Sequence, residues 1–372
     1  VAGVAALMLR LLAGWTIALV ALMCAGLVLV GAGVGRALPR GDTLVFTNDY
    51  GLRNLHIYLL DMRTRTRVSL TGGVGGNCCP AWSPDGHSVA FAVYRRGETV
   101  IDAQDIFSDS LQELARVQAR TTALLWSPDG RWLLSMGDSD GQTAFHLIDA
   151  LCSEECPSLR VTPKRSNNIQ PAWSPDSRRL AFVSERDGNF EIYTLDISAC
   201  LNQPLADLFA PCQPREHRVT RNTTDDLYPS WSPDGRTLVY ASDSDRDRNF
   251  ELYTVDSYTG AYQQLTRNAA DDTMPGWSPD GRTIAFISNR DGENEVYTMN
   301  VADGSQQRMT HNSTRDYNPA WSPDGTRIIF QAVRPPMREL HVIDAACGCG
   351  EYSLPGTRSM LMPGVTAFGW QP

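Results

Sequence analysis

One four-residue string, Trp-Ser-Pro-Asp, recurs six times in the 372-residue chain, at Trp82–Asp85, Trp126–Asp129, Trp173–Asp176, Trp231–Asp234, Trp277–Asp280 and Trp321–Asp324. The steps between successive Trp residues are 44, 47, 58, 46 and 44. A period near 45 restricts the chain to a propeller or a solenoid. The residues after each string separate the two. After Trp277 come GRTIAFIS, then NRDGEN, then EVYTMNV, then DGSQQ and RMT. Alternating apolar residues read as strands, and the Gly- and Asp-rich clusters between them read as hairpin turns. With the Pro-x-Trp segment in front, each unit has four short strands, which is a propeller blade.

The string has a mechanical reading. In Ser278-Pro279-Asp280-Gly281, proline presets φ at the second turn position, and glycine accepts a positive φ at the fourth. The motif is therefore a tight turn joining the first and second strands. Its Trp closes the first strand and wedges between neighbouring blades. The six acidic side chains, Asp85, Asp129, Asp176, Asp234, Asp280 and Asp324, share one turn context and read as turn caps, not a catalytic array. The third unit has Ser177 where the others have Gly, so its turn is expected to differ slightly.

Both ends are needed to count blades. Residues 42–70 match the second, third and fourth strands of a unit but lack a Pro-x-Trp strand. The segment Pro363–Trp370 looks like that missing strand. The expectation is an all-β propeller of seven four-stranded blades, closed by a C-terminal strand ending at Trp370. A six-bladed ring with one degenerate unit is the alternative. The unit after Trp82 is the weakest, with an acidic third strand around Ile101–Asp109.

The pattern Pro-x-Trp-Ser-Pro-Asp-Gly-Arg-x-Ile-Ala-Phe, followed by Arg-Asp-Gly-x-x-Glu-(Ile/Val)-Tyr, resembles the TolB-like, WD40-like β-propeller repeat family. The resemblance covers about residues 42–372. It implies a propeller fold. It implies little about function, because propellers are platforms whose activity lives in their loops.

Residues 11–35 carry no charge. As a helix they would reach roughly 37 Å, enough to cross a hydrocarbon core of about 30 Å. The organisation expected is an N-terminal flank (1–10), a transmembrane helix or signal anchor (11–35), a linker (36–41) and the propeller (42–372). A cleaved signal peptide is the competing reading, although its apolar region is usually only about 7–15 residues. Positive-inside counting has little force, because large domains translocate largely regardless of flanking charge. Eight further cysteines fall into local pairs, which fits an oxidising compartment outside the cytoplasm. Crosslinks Cys152–Cys156 and Cys200–Cys212 are favoured. Cys78–Cys79 and Cys347–Cys349 would close small strained rings and are disfavoured. No CxxC pairs or paired histidines suggest zinc.

A net charge of −9 argues against nucleic acid as a partner. Gly137–Gly141 formally matches GxSxG, but it falls at a hairpin, without the strand–turn–helix context a nucleophile elbow needs. Asp243–Asp247 resembles the start of a calcium loop but lacks the required Gly and Glu, so any calcium site is weak. The loop before the first strand is more informative. Asn222 with Asp226, Asn268 with Asp272, and Asn312 with Asp316 recur at one spacing. Antiparallel order puts them on the same face as Arg186 and Arg290. Two readings stay open: side-chain turns to local backbone, or a polar binding rim for a peptide, glycan or cation. No cofactor and no catalytic nucleophile–base pair is expected. The function expected is a membrane-anchored, extracytoplasmic, non-catalytic module that binds a protein or peptide, with a glycan as the alternative ligand. Alternatives are a sensor whose cytoplasmic effector precedes Val1 or is a separate chain, or a hydrolase or lyase with its site at the channel mouth.

Overall fold

The computed structural model describes residues 42–49, 55–72, 76–95, 98–139, 141–152, 158–162, 166–201, 214–244, 249–335, 337–354, 357, 359–360 and 368–370. The expected span at 11–35 and the flank and linker around it lie outside these residues. Among the described residues no helix is long and apolar enough to cross a membrane.

Seven antiparallel sheets follow one another along the chain. We number the blades from the N-terminus. Blade 1 joins Thr43–Asp49, Leu55–Asp61 and Arg67–Ser69 to the last strand, Phe368–Trp370. Leu44 pairs with Trp370 and Phe46 with Phe368, so the two ends of the chain share one sheet and the ring is closed. Closure removes open strand edges that would otherwise invite pairing with other chains. Blade 2 spans Gly76–Val117, blade 3 Arg120–Arg160, blade 4 Asn168–Arg218, blade 5 Asp226–Gln264, blade 6 Asp272–Arg308 and blade 7 Arg315–Ser353. Blade 7 departs from four strands: Ser359–Met360 adds a fifth by pairing with Met337 and Arg338. The acidic third strand of blade 2, Glu98–Asp105, is regular, and Asp102 on it is buried.

The Trp-Ser-Pro-Asp turns behave alike. In the turn of blade 6 the Ser278 hydroxyl donates to Asp280 Oδ1, which also accepts the Arg282 amide at 3.1 Å. Ser278 Oγ in turn accepts the Thr283 amide at 3.0 Å. Asp85, Asp176, Asp234 and Asp324 make the same two contacts, as does Asp129. Four turn prolines, Pro84, Pro175, Pro233 and Pro279, seat against the next turn's glycine: a Cβ at Gly281 would lie 3.4 Å from Pro233. The turn at Ser177 does not differ. Ser177 keeps the left-handed φ of 59° and closes the same hydrogen bond to Ser174. Its hydroxyl also accepts the Asp129 amide of the preceding blade at 2.9 Å.

The tryptophans join blades. The indole of Trp126 donates to the carbonyl of Ala81, Trp173 to Leu125, Trp231 to Ala172 and Trp321 to Gly276, at 3.1–3.2 Å. Each acceptor immediately precedes the Trp of the neighbouring blade. Between blades the core is apolar; Phe145 of blade 3 meets Phe182 of blade 4 edge to face at 5.5 Å. Five first strands carry a bulge whose third residue before Trp has positive φ: Cys79, Gln170, Tyr228, Met274 and Asn318. The next residue is always proline, which cannot donate to the ladder and is tolerated at bulges. Blade 3 has Leu124 at the proline position, and there no residue adopts positive φ.

The cysteines correct one expectation. Cys78–Cys79 and Cys347–Cys349 are both disulfide-bonded, although small rings were disfavoured. The backbone accommodates them: Cys79 sits at its blade's bulge with φ of 62°, and Gly348 takes φ of 62° inside the second ring. Cys152 is also disulfide-bonded. Cys156, Cys212 and the Cys200 side chain lie outside the described residues.

Candidate functional site

The loops before the first strands of blades 5, 6 and 7 share one construction. Each Asn carbonyl accepts the amide two residues on, at Thr224, Ala270 and Thr314, at 2.8–2.9 Å. The Asn222, Asn268 and Asn312 amides donate to Asp226, Asp272 and Asp316 at 2.8, 2.8 and 3.1 Å. All three aspartates are fully buried. The expected polar ring is thus an internal network, with its carboxylates beneath the face.

Sequence reasoning missed the glutamates that complete this network. Glu191, Glu251 and Glu295 open the third strands of blades 4, 5 and 6 and are almost wholly buried. Glu191 accepts the Asn222 amide at 3.0 Å and the Thr220 hydroxyl at 2.6 Å. Glu251 accepts the Asn268 amide. The signal was present as the Glu of the repeated Arg-Asp-Gly-x-x-Glu-(Ile/Val)-Tyr pattern.

Arg186 and Arg290 are also engaged. Arg290 Nε donates to Ser288 Oγ at 2.8 Å, Nη2 to both oxygens of Asp272, and Nη1 to Gln306. Its guanidinium lies 4.7 Å from the centre of the Tyr297 ring. Arg186 repeats this in blade 4. Nε donates to Ser184 at 3.0 Å, Nη2 to Asn168 at 2.8 Å and Nη1 to Glu216 at 2.6 Å, with Tyr193 at 4.5 Å. A second arginine stands beside each. Arg218 pairs with Asp187 and Glu191, and Arg308 with Asp291 and Glu295. Tyr193 donates to Asp187 and Tyr297 to Asp291. Burial first, and then the Asp187 carboxylate, pushes the Tyr193 phenol up to about 12.

Blade 5 breaks the pattern. Its second hairpin is two residues longer: Ser244 stands two residues after Ser242, where Arg186 follows Ser184 and Arg290 follows Ser288, while Arg246, five residues before Glu251 as Arg186 is before Glu191 and Arg290 before Glu295, lies outside the described residues. Gln264 stands two residues before Thr266, where Arg218 precedes Thr220 and Arg308 precedes Thr310. A groove of about 1030 Å³ lies between blades 4 and 5, with Tyr240, Tyr253, Tyr258, Tyr262, Asn222 and Ser244 on its walls. Three buried polar atoms beside or on it have no hydrogen-bond partner within reach: Asp226 Oδ1, Ser242 Oγ and Gln264 Nε2. Burial pushes the Asp226 carboxyl up to about 7, with the charge of Glu191 adding to it. Asp316 is likewise raised to about 7 by burial, yet Asn312 and Thr314 satisfy its oxygens.

The described residues of the other motifs have structural roles. Gly137 lies on a strand where a Cβ would come within 2.7 Å of the Arg120 carbonyl, so close backbone approach accounts for the glycine. Asp243 accepts the Asp225 amide, and residues 245–248 of the calcium-like run lie outside the described residues. Among the described residues no cluster of His, Cys, Asp or Glu could hold a metal ion.

A model of the TolB beta propeller domain matches residues 78–206 and 213–348. Among solved structures, TolB from Acinetobacter baumannii is similar at a TM-score of 0.52 and 16% identity, over 89% of this chain and 67% of that one. An oligogalacturonate lyase in complex with manganese is similar at 0.62 and 18%, over 85% and 87%. A puromycin-hydrolyzing peptidase from Mycobacterium tuberculosis is similar at 0.65 and 15%, over 88% of this chain and 55% of that one. At these identities the likeness is one of fold.

Proposed function

This chain belongs to the TolB beta propeller domain family, and from that premise we propose that it is a non-catalytic binding module holding a protein partner. The observation that carries this reading is the groove between blades 4 and 5. It combines a rigid scaffold, exposed Tyr258 and Tyr262, and buried polar atoms without partners. Tyrosines of this kind supply large contact area at low entropic cost, and pockets with a few convergent polar groups are where ligands bind. In this reading residues 11–35 anchor the chain in a membrane with the propeller outside the cytoplasm. The disulfides at Cys78–Cys79 and Cys347–Cys349 support that placement.

The test uses the full chain in its own membrane. A photo-crosslinking residue at Tyr262 should yield one discrete adduct with a protein, and the same residue at Arg282, in the turn between the first and second strands of blade 6, should not. Equal labelling from both positions, or none from Tyr262, would remove the groove as the binding site. Location is tested separately with a membrane-impermeant thiol reagent on intact cells. The propeller cysteines should label only after reduction. Labelling only after lysis, without reduction, would put the propeller inside.

A further inference from the structure

The turn between the third and fourth strands is built the same way in blades 1, 2, 5, 6 and 7. It opens at Asp61, Asp105, Asp256, Asn300 and Asp344. The amide of that residue donates to the carbonyl five residues on, at Thr66, Ser110, Ala261, Ser305 and Cys349, over 2.8–3.1 Å. Its side-chain oxygen accepts amides from inside the turn. The fifth residue, Arg65, Asp109, Gly260, Gly304 or Gly348, takes a left-handed φ between 56° and 72°. This backbone brings the fourth and sixth side chains together. Thr64 meets Thr66 at 2.7 Å, Ser108 meets Ser110 at 2.9 Å, and Ser305 donates to Asp303 at 2.6 Å. In blade 7 the fourth and sixth residues are Cys347 and Cys349, and they are disulfide-bonded. Both are exposed, whereas Cys79 of the other described pair is fully buried.

The turn does not depend on that bond. Four other blades form it without cysteine, so breaking the bond leaves the two sulfurs held where it can form again. A crosslink between residues so close in the chain also contributes less through loop closure than one across a long loop. The reduced form has an acceptor at hand, because Cys347 Sγ lies 3.5 Å from Asp344 Oδ1. Exposed disulfides are the ones open to thiolate attack. We propose that Cys347 and Cys349 are a thiol–disulfide exchange site whose substrate is a dithiol on an exposed segment of another protein. A substrate thiolate attacks one sulfur of the pair. The Cys347–Cys349 bond breaks as a mixed disulfide forms, and the other sulfur leaves as a thiolate and takes up a proton. The substrate's second thiolate then attacks the substrate sulfur of the mixed disulfide, and the remaining cysteine leaves and is protonated. The substrate loses two electrons and two protons and becomes a disulfide; the pair gains both and becomes two thiols. Neither cysteine lines the groove between blades 4 and 5, so this activity stands apart from the binding reading.

Trypsin isolates the pair, because residues 339–358, between Arg338 and Arg358, contain no other cysteine. The experiment mixes the detergent-solubilised full chain with an excess of a synthetic peptide carrying two reduced cysteines. The mixture is quenched with an alkylating reagent and mapped. Fragment 339–358 should pass from disulfide to doubly alkylated while the peptide is oxidised, and added glutathione disulfide should restore it. The β-sheet circular dichroism should persist throughout. Cys78–Cys79, with one sulfur-bearing residue buried, should react at least about tenfold more slowly. The double variant Cys347→Ser with Cys349→Ser copies the Ser108 and Ser110 pair of blade 2. It should fold like the parent and oxidise the peptide at least about tenfold more slowly. A fragment 339–358 that stays disulfide-bonded in the parent, or a folded double variant that oxidises the peptide as fast, would overturn the proposal. Loss of the sheet signal on reduction of this pair would overturn it too, because the crosslink would then be structural.

Discussion

Arg290 donates through Nη2 to both carboxylate oxygens of Asp272, at 2.9 and 2.8 Å, and Asp272 is fully buried. The pair lies where the loop before blade 6 meets its second hairpin. Replacing Arg290 by Ala strips a buried carboxylate of its counter-charge. Breaking a buried pair in this way costs about 3 kcal/mol. Denaturant unfolding at neutral pH should show that loss, and Arg290→Ala with Asp272→Asn should recover much of it. A single mutant as stable as the parent would mean that the pair contributes nothing.

Two other carboxyls of the same construction predict a pH dependence. Asp226 and Asp316 ionise near 3.8 in the unfolded chain but hold their protons to about 7 when folded, chiefly because they are buried. Between those values the folded chain binds more protons. Stability therefore falls as pH rises from about 4 to about 7 and levels off above. Each carboxyl accounts for on the order of 2–4 kcal/mol. Melting curves for Asp226→Asn should show a shallower fall than the parent across that window. Parallel curves would exclude Asp226 as a source.

Two tryptophans in equivalent places should respond differently. The Trp173 indole donates to the Leu125 carbonyl at 3.2 Å, whereas Trp277 Nε1 is buried with no partner. Phe at either position removes similar apolar surface, but only at 173 does it orphan a carbonyl. Trp173→Phe should cost about 1 kcal/mol more than Trp277→Phe. Equal losses in chemical denaturation would count against the indole bonds as interblade ties.

Gly137 predicts a purely steric effect. An added Cβ would meet the Arg120 carbonyl at 2.7 Å, a backbone atom that cannot swing aside. Gly137→Ala should destabilise by about 2 kcal/mol, within the range for overpacking, and Thr122→Ala, at an exposed position of the adjoining strand, by much less. Comparable losses in thermal melts would mean that the close approach is not what selects glycine here.

Removing residues 368–372 deletes the strand that pairs Val45 with Gly369 and leaves the first strand of the chain as an open edge. The truncated protein should melt well below the parent and associate through the exposed edge. Unchanged melting and a monomeric profile on sizing would show that ring closure does not depend on that strand.

Much of the molecule is legible in the chain alone. Trp-Ser-Pro-Asp sets turn geometry through local backbone preferences, so the turn role of Asp280 and its five counterparts follows from the string. Period and order then yield seven blades and the return of Trp370 to the first strand, because a sheet short of one strand needs its partner from elsewhere in the chain. Even the bulges are written locally, in the proline two residues before most of the tryptophans.

Burial and pairing are not legible in this way. Asp226, Asp272 and Asp316 have identical spacing from their asparagines, and no local rule tells which carboxylate meets an arginine. For Asp272 that depends on Arg290, eighteen residues away across a strand pair. Cysteine spacing likewise disfavours the two smallest rings, yet the fold closes both, where a bulge and a glycine bend the backbone to suit. The blade architecture is inscribed in the order of residues, because turn and strand preferences act over a few positions and repeat. Which polar groups find partners is settled only when the blades pack, because desolvation and charge pairing depend on what a neighbouring blade brings alongside.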